Sequence, residues 1–134
     1  MPSMNELSFL IVDDEPFFVV LLEQYLNKLG VREINVVPDG PRAIEFIGRQ
    51  GQGPDIILLD MTMPEMSGGQ VLGELAAREF SGIVVLVSGA DPETLEYAKG
   101  FANSRDVRVP GYIQKPLSFK QLKTAFAEMG IGAA

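Results

Sequence analysis

Residues 55–76 read DIILLDMTMPEMSGGQVLGELA, and the fold turns on this stretch. Asp55 to Leu59 (DIILL) is a short run, apolar after its first residue, that stops at an acid, Asp60. Its length suits a buried strand and is too short for a helix. The turn Met61 to Met66 follows. Ser67 with Gln70 three residues on forms a capping box, which predicts a helix carrying Val71, Leu72, Leu75 and Ala76 inward.

The same strand-then-helix pattern recurs on both sides. Upstream, Leu7 to Val12 (LSFLIV) is a buried strand followed by acids, and Phe18, Leu22, Tyr25 or Leu26, and Leu29 recur at helical spacing before Gly30. Ile34 to Val37 is a second strand, and Pro41 opens a short helix with Ala43, Ile44 and Ile47. Gly48 to Pro54 reads as a loop on composition. Downstream, Ile83 to Val87 is a fourth strand rich in β-branched residues. Asp91-Pro92 caps a helix with Leu95, Ala98 and Ala102. Val109 to Ile113 is a fifth strand, and Ser118 with Gln121 caps a last helix lined by Phe119, Leu122, Phe126 and Met129.

Strands alternating with helices imply a parallel sheet covered on both faces. The near-continuous apolar strands agree, because one-sided strands would alternate. Right-handed crossovers then predict an α/β fold: a doubly wound, flavodoxin-like sheet of five parallel strands in the order 2-1-3-4-5, with five helices. The whole chain, 1–134, reads as one domain with its core over about 7–130, and no linker or repeat divides it.

Composition narrows the chemistry. The chain has no cysteine, histidine or tryptophan, which excludes thiol and Ser-His-Asp nucleophiles, Cys/His zinc sites and a phosphohistidine carrier. Eleven Lys and Arg against 18 Asp and Glu leave a net charge of −7, which argues against nucleic-acid contact by this domain. The longest apolar runs fall far short of a membrane span, and the N-terminus lacks the basic start of a signal peptide, so the expected setting is cytoplasmic, with no membrane contact.

Ligands bind such sheets at the carboxyl ends of the strands, by the switch point. The residues that fall there are Asp13 and Asp14, Asp60, Ser88 and Lys115. Each alone is an ordinary turn former, cap or surface charge. Together, three crowded carboxylates repel one another unless a cation offsets them, and one lysine is not enough. A hard divalent ion with oxygen ligands is the economical answer, and magnesium suits a site that also takes phosphate oxygens. A hydroxyl and an ammonium then serve a phosphoryl group. With no His or Cys, the nucleophile is an aspartate; Asp60 stands alone where Asp13 and Asp14 are paired.

FLIVDDE at 9–15, LLDMTMPEMSG at 58–68, VLVSGAD at 85–91 and GYIQKP at 111–116 together resemble the receiver domain of two-component response regulators, over nearly the whole chain. The resemblance implies a phosphorelay switch. Asp60 would accept a phosphoryl group from a histidine kinase or histidine phosphotransfer protein. Asp14, Asp60 and the backbone carbonyl of Thr62 would ligate magnesium, or manganese in its place, with Asp13 assisting. Lys115 would pair with the phosphoryl oxygens, Ser88 would be the switch hydroxyl and Tyr112 the switch aromatic. It also implies a cis Lys115–Pro116 bond and an output domain or partner that the sequence does not identify. Three features depart from the family pattern: Ser67 before Gly68, Gly89 after Ser88, and a Gly100–Pro110 segment longer by about one helical turn. The competing enzymatic reading is an aspartate-nucleophile phosphatase of the haloacid dehalogenase type, but Thr62 stands where that family has its acid/base Asp. A non-phosphorylated interaction domain would require one of the five site residues to be missing, and none is.

Overall fold

The computed structural model describes residues 2–50, 53–63 and 65–132. A 3-10 turn at Met4–Glu6 leads into β1 (Ser8–Val12), α1 (Pro16–Lys28), β2 (Glu33–Val37), α2 (Gly40–Gln50) and β3 (Ile56–Leu59). Then come α3 (Gly68–Ala77), β4 (Ile83–Ser88), α4 (Pro92–Asn103), β5 (Tyr112–Gln114) and α5 (Phe119–Glu128). The five strands form one parallel sheet in the order β2-β1-β3-β4-β5, as the alternating pattern predicts.

Side-chain alternation along each strand divides the core into two layers. Phe9 and Ile11, Ile56 and Leu58, and Val85 and Val87 pack with Leu22, Leu26, Leu122 and Phe126 of α1 and α5. Leu10 and Val12, Ile57 and Leu59, and Val84 and Leu86 pack on the other side with Ala43, Val71, Leu72, Leu75, Leu95 and Ala98 of α2, α3 and α4. Both layers are needed, which is why the inner strands are apolar throughout except for Ser8 at the start of β1 and Ser88 at the end of β4. Leu7 and Ile131, outside the first strand and last helix, are also buried in the first layer.

Capping follows the sequence closely. Ser67 and Ser118 close reciprocal capping boxes with Gln70 and Gln121, and Asp91 accepts from the Thr94 N–H. Gly30 sits just past α1 at φ +99°, a conformation that favours glycine.

Two boundaries differ from expectation by more than one residue. Gly48, Arg49 and Gln50 belong to α2 rather than to a loop; Ile47 is buried and draws the helix onward. Gly51 and Gln52 lie outside the described residues. The fifth strand begins at Tyr112, not Val109. Arg108 makes one isolated bridge to Ile83, and the Asn103 side chain then takes both backbone groups of Val109, at 2.9 and 3.1 Å. Those groups are lost to the ladder, and Pro110 has no N–H to offer it. The long Gly100–Pro110 segment is therefore pinned by Asn103 and by the buried side chains of Val107 and Val109.

Candidate functional site

Strand parity explains which groups converge. Asp13 continues the Phe9–Ile11 side of β1, Asp60 the Ile56–Leu58 side of β3 and Lys115 the Ile113 side of β5, all facing α1 and α5. Lys115 Nζ lies 2.8 Å from Asp13 Oδ2, 2.6 Å from Glu15 Oε1 and 3.7 Å from Asp60 Oδ2. Asp13 and Asp60 are nearly sealed from water, and the Lys115 side chain is only 10% exposed. Its ammonium also sits 4.4 Å from the centre of the Phe18 ring, a cation–π contact from α1. The Lys115–Pro116 bond is cis, as the resemblance implies.

Ligand oxygens of Asp13, Glu15 and Asp60 lie within 4.8 Å of one another. This all-oxygen donor set fits a hard divalent cation. Asp14, paired with Asp13 in the sequence reading, is exposed and lies outside the group; Glu15, not singled out there, is inside it. One residue of chain reverses a side chain's direction, so two adjacent acids at a strand end cannot both continue its inner face. The motif DDE held that signal in its third position.

The two oxygens of each buried acid have different lives. Asp13 Oδ1 accepts from the Glu15 N–H at 2.9 Å while its Oδ2 is taken by Lys115. Asp60 Oδ1 accepts only a long 3.3 Å bond from the Thr62 N–H, and its Oδ2 has the lysine beyond hydrogen-bond reach. Asp60 is the loosest-held buried carboxylate of the site. The turn behind it is tight: a Cβ on Gly68 would lie 2.7 Å from Met61 Cα and 2.8 Å from the Asp60 carbonyl oxygen. Only glycine lets α3 start so close to the acid.

Ser88 and Tyr112 have the opposite parity and face the α2–α4 layer. Ser88 is fully buried, and its Oγ accepts from the Ala90 N–H at 3.3 Å. The Lys115 N–H donates to the Ser88 carbonyl at 2.8 Å, which ties the two strand ends together. Gln114 Nε2 donates to the Ala90 carbonyl at 3.0 Å, anchoring the loop after Ser88. Tyr112 is half-buried against the second core layer.

Burial pushes the Asp13 carboxyl above the ordinary carboxylate range, against the pull of hydrogen bonds from Lys115 and the Glu15 N–H. Burial also opposes the Lys115 charge, but hydrogen bonds to Asp13 and Glu15 and the field of the carboxylates outweigh it and raise its pKa. In the window above the ordinary Asp range the native Asp13 therefore holds a proton that the unfolded chain has released. The Asp13 contribution to stability falls there as pH rises. With a chelator present, urea unfolding should show the parent losing stability relative to Asp13→Asn as pH climbs from the acid side toward neutrality. The reverse slope would mean that attraction to Lys115 outweighs burial.

Comparison with known proteins agrees with this geometry. A model of the response regulator receiver domain matches residues 9–127. The sensory transduction protein RegX3 of Mycobacterium tuberculosis is 38% identical over 115 residues, which cover 86% of this chain and 47% of RegX3. The chain thus spans about half the length of the curated relatives it matches. Among solved structures, the signal receiver domain of the response regulator NarL from Mycobacterium tuberculosis superposes with a TM-score of 0.75 at 27% identity, covering 95% of this chain and 96% of that one. A CheX–CheY complex with beryllofluoride and magnesium from Borrelia burgdorferi gives 0.76 at 26% identity, covering 90% and 87%. No helix among the described residues is long and apolar enough to cross a membrane. Fold, buried acids, lysine and family match lead to one assignment, a signalling domain rather than a phosphatase: the chain belongs to the response regulator receiver domain family of two-component systems.

Proposed function

We propose that Asp60 accepts a phosphoryl group from a histidine kinase or histidine phosphotransfer protein, and that the domain then changes its contacts with an output domain or partner. The observation that carries this reading is the state of Asp60: buried, at the end of β3, with one oxygen held weakly and the other 3.7 Å from the lysine. A carboxylate oxygen attacks phosphorus, the bond from phosphorus to the donor nitrogen or oxygen breaks, and an acyl phosphate forms. Lys115 offsets the added negative charge. Magnesium, or manganese, would supply the remaining positive charge; Asp13, Asp60, Asp14 and the Thr62 carbonyl are its proposed ligands, while Glu15 is taken by Lys115 at 2.6 Å and is not counted among them. The domain comprises the chain from about residue 7 to 130, acts in the cytoplasm and touches neither nucleic acid nor membrane itself.

Ser88 and Tyr112 carry the change. A phosphoryl group on Asp60 offers acceptors for the Ser88 O–H, whose oxygen is held at rest by the long bond it accepts from the Ala90 N–H. Inward movement of the hydroxyl vacates space that Tyr112, on the adjacent strand and the same face, can enter. One hydrogen bond to a charged group, about 1.5–3 kcal/mol, is enough to shift a two-state equilibrium by tenfold to a hundredfold. Crystal structures with and without beryllofluoride and magnesium should show Ser88 drawn toward Asp60 and Tyr112 rotated to a buried position. A Tyr112 rotamer common to both would remove it from the switch.

A further inference from the structure

Lys115 is held from four sides, and the four holders are unequal. Phe18 covers one side with its ring, 4.4 Å away. Asp13, 3% exposed, takes a hydrogen bond at 2.8 Å and has no water to turn to. Glu15 takes the shortest bond, 2.6 Å, yet its side chain is 59% exposed. Asp60, the residue whose chemistry Lys115 would serve, is farthest at 3.7 Å. An ammonium has three N–H groups, and its two short contacts go to Asp13 and Glu15 while Asp60 stays beyond hydrogen-bond distance. The buried Asp13 and the packed Phe18 form a fixed seat. The exposed Glu15 is the one holder that can let go, because solvent replaces its lost partner at little cost.

We infer that Glu15 is a positioning residue that holds Lys115 away from Asp60 at rest and is displaced when Asp60 carries a phosphoryl group; this rests on the phosphorylation of Asp60 proposed above. Breaking the Glu15 contact is then part of the work of activation. It sets how tightly the site takes a phosphoryl group, and so how strong a donor is needed to populate the active form. Glu15 touches no reacting atom; it acts through Lys115.

Two substitutions separate this role from plain charge repulsion. Glu15→Gln removes the charge. Glu15→Asp keeps the charge but shortens the reach by one methylene, so the contact with Lys115 is lost. Both lie at an exposed side chain and leave the core untouched. Beryllofluoride binding in saturating magnesium, measured by calorimetry, should tighten in both variants, by roughly twofold to fivefold, the size of a partly exposed ion pair. Magnesium binding without beryllofluoride should stay within twofold of the parent, and the parent's beryllofluoride complex should show Lys115 released from Glu15. A tightened Gln variant beside a parent-like Asp variant would leave charge alone as the cause and overturn the inference. So would unchanged beryllofluoride binding in both, a Lys115–Glu15 contact kept in the complex, or weakened magnesium binding, which would make Glu15 a ligand. A parent that binds no beryllofluoride at all would instead take down the phosphorylation reading, and this inference with it.

Discussion

Asp60→Asn takes up no phosphoryl group from acetyl phosphate in magnesium, while the parent gains one adduct by intact mass. The amide that replaces the carboxylate has no anionic oxygen to attack phosphorus and loses a negative charge the metal would use. The loss should be chemical rather than structural. Three carboxylates face one lysine in this pocket, so removing the Asp60 charge relieves repulsion within it. Its Oδ1 accepts only a long bond from Thr62, and the Asn oxygen can keep it. The variant should unfold in urea at or slightly above the parent's midpoint. Asp13→Asn is the contrasting control. It removes an acceptor of Lys115, not the attacking group, so a slower adduct should persist. An undiminished adduct on Asp60→Asn, or one abolished only in Asp13→Asn, would sink the assignment of Asp60.

The reach of the sequence can be judged from particular residues. Apolar strands broken by capping boxes at Ser67 and Ser118 announced the crossover units, and through them the sheet order. Strand ends marked Asp13, Asp60, Ser88 and Lys115 because in a parallel sheet those positions share one edge. The exchange of Asp14 for Glu15 within the carboxylate cluster was less legible. It depends on which way a side chain turns after the last ladder residue, a matter of local backbone geometry rather than composition. The start of β5 escaped for a different reason. Val107 and Val109 are buried like strand residues, but Asn103 captures the backbone groups that a ladder would need. Phe18 read as a core position of α1; its contact with a lysine nearly one hundred residues away exists only in the fold.

Lys115→Met should cost stability as well as switching. The substitution keeps most of the stem's volume and removes the charge, so the effect reports the ammonium and not a cavity. Without it Asp13 and Asp60, each 3% exposed, stand close together in a buried pocket with no other cation paired to them among the described residues. Removing one partner from a buried ionic group commonly costs about 3–5 kcal/mol, most of it the price of the charges left behind. Two responses distinguish this origin from lost packing. Lowering the pH protonates the stranded Asp13, whose pKa burial already raises, so the deficit against the parent should shrink as the solution is acidified. Millimolar magnesium should also shrink it, since a cation that binds only the folded form stabilises that form. A deficit that neither acid nor magnesium reduces would belong to the stem of Lys115 lying against Phe18. In that event the lysine would be chiefly a packing element, and the charge balance drawn for this pocket would be wrong.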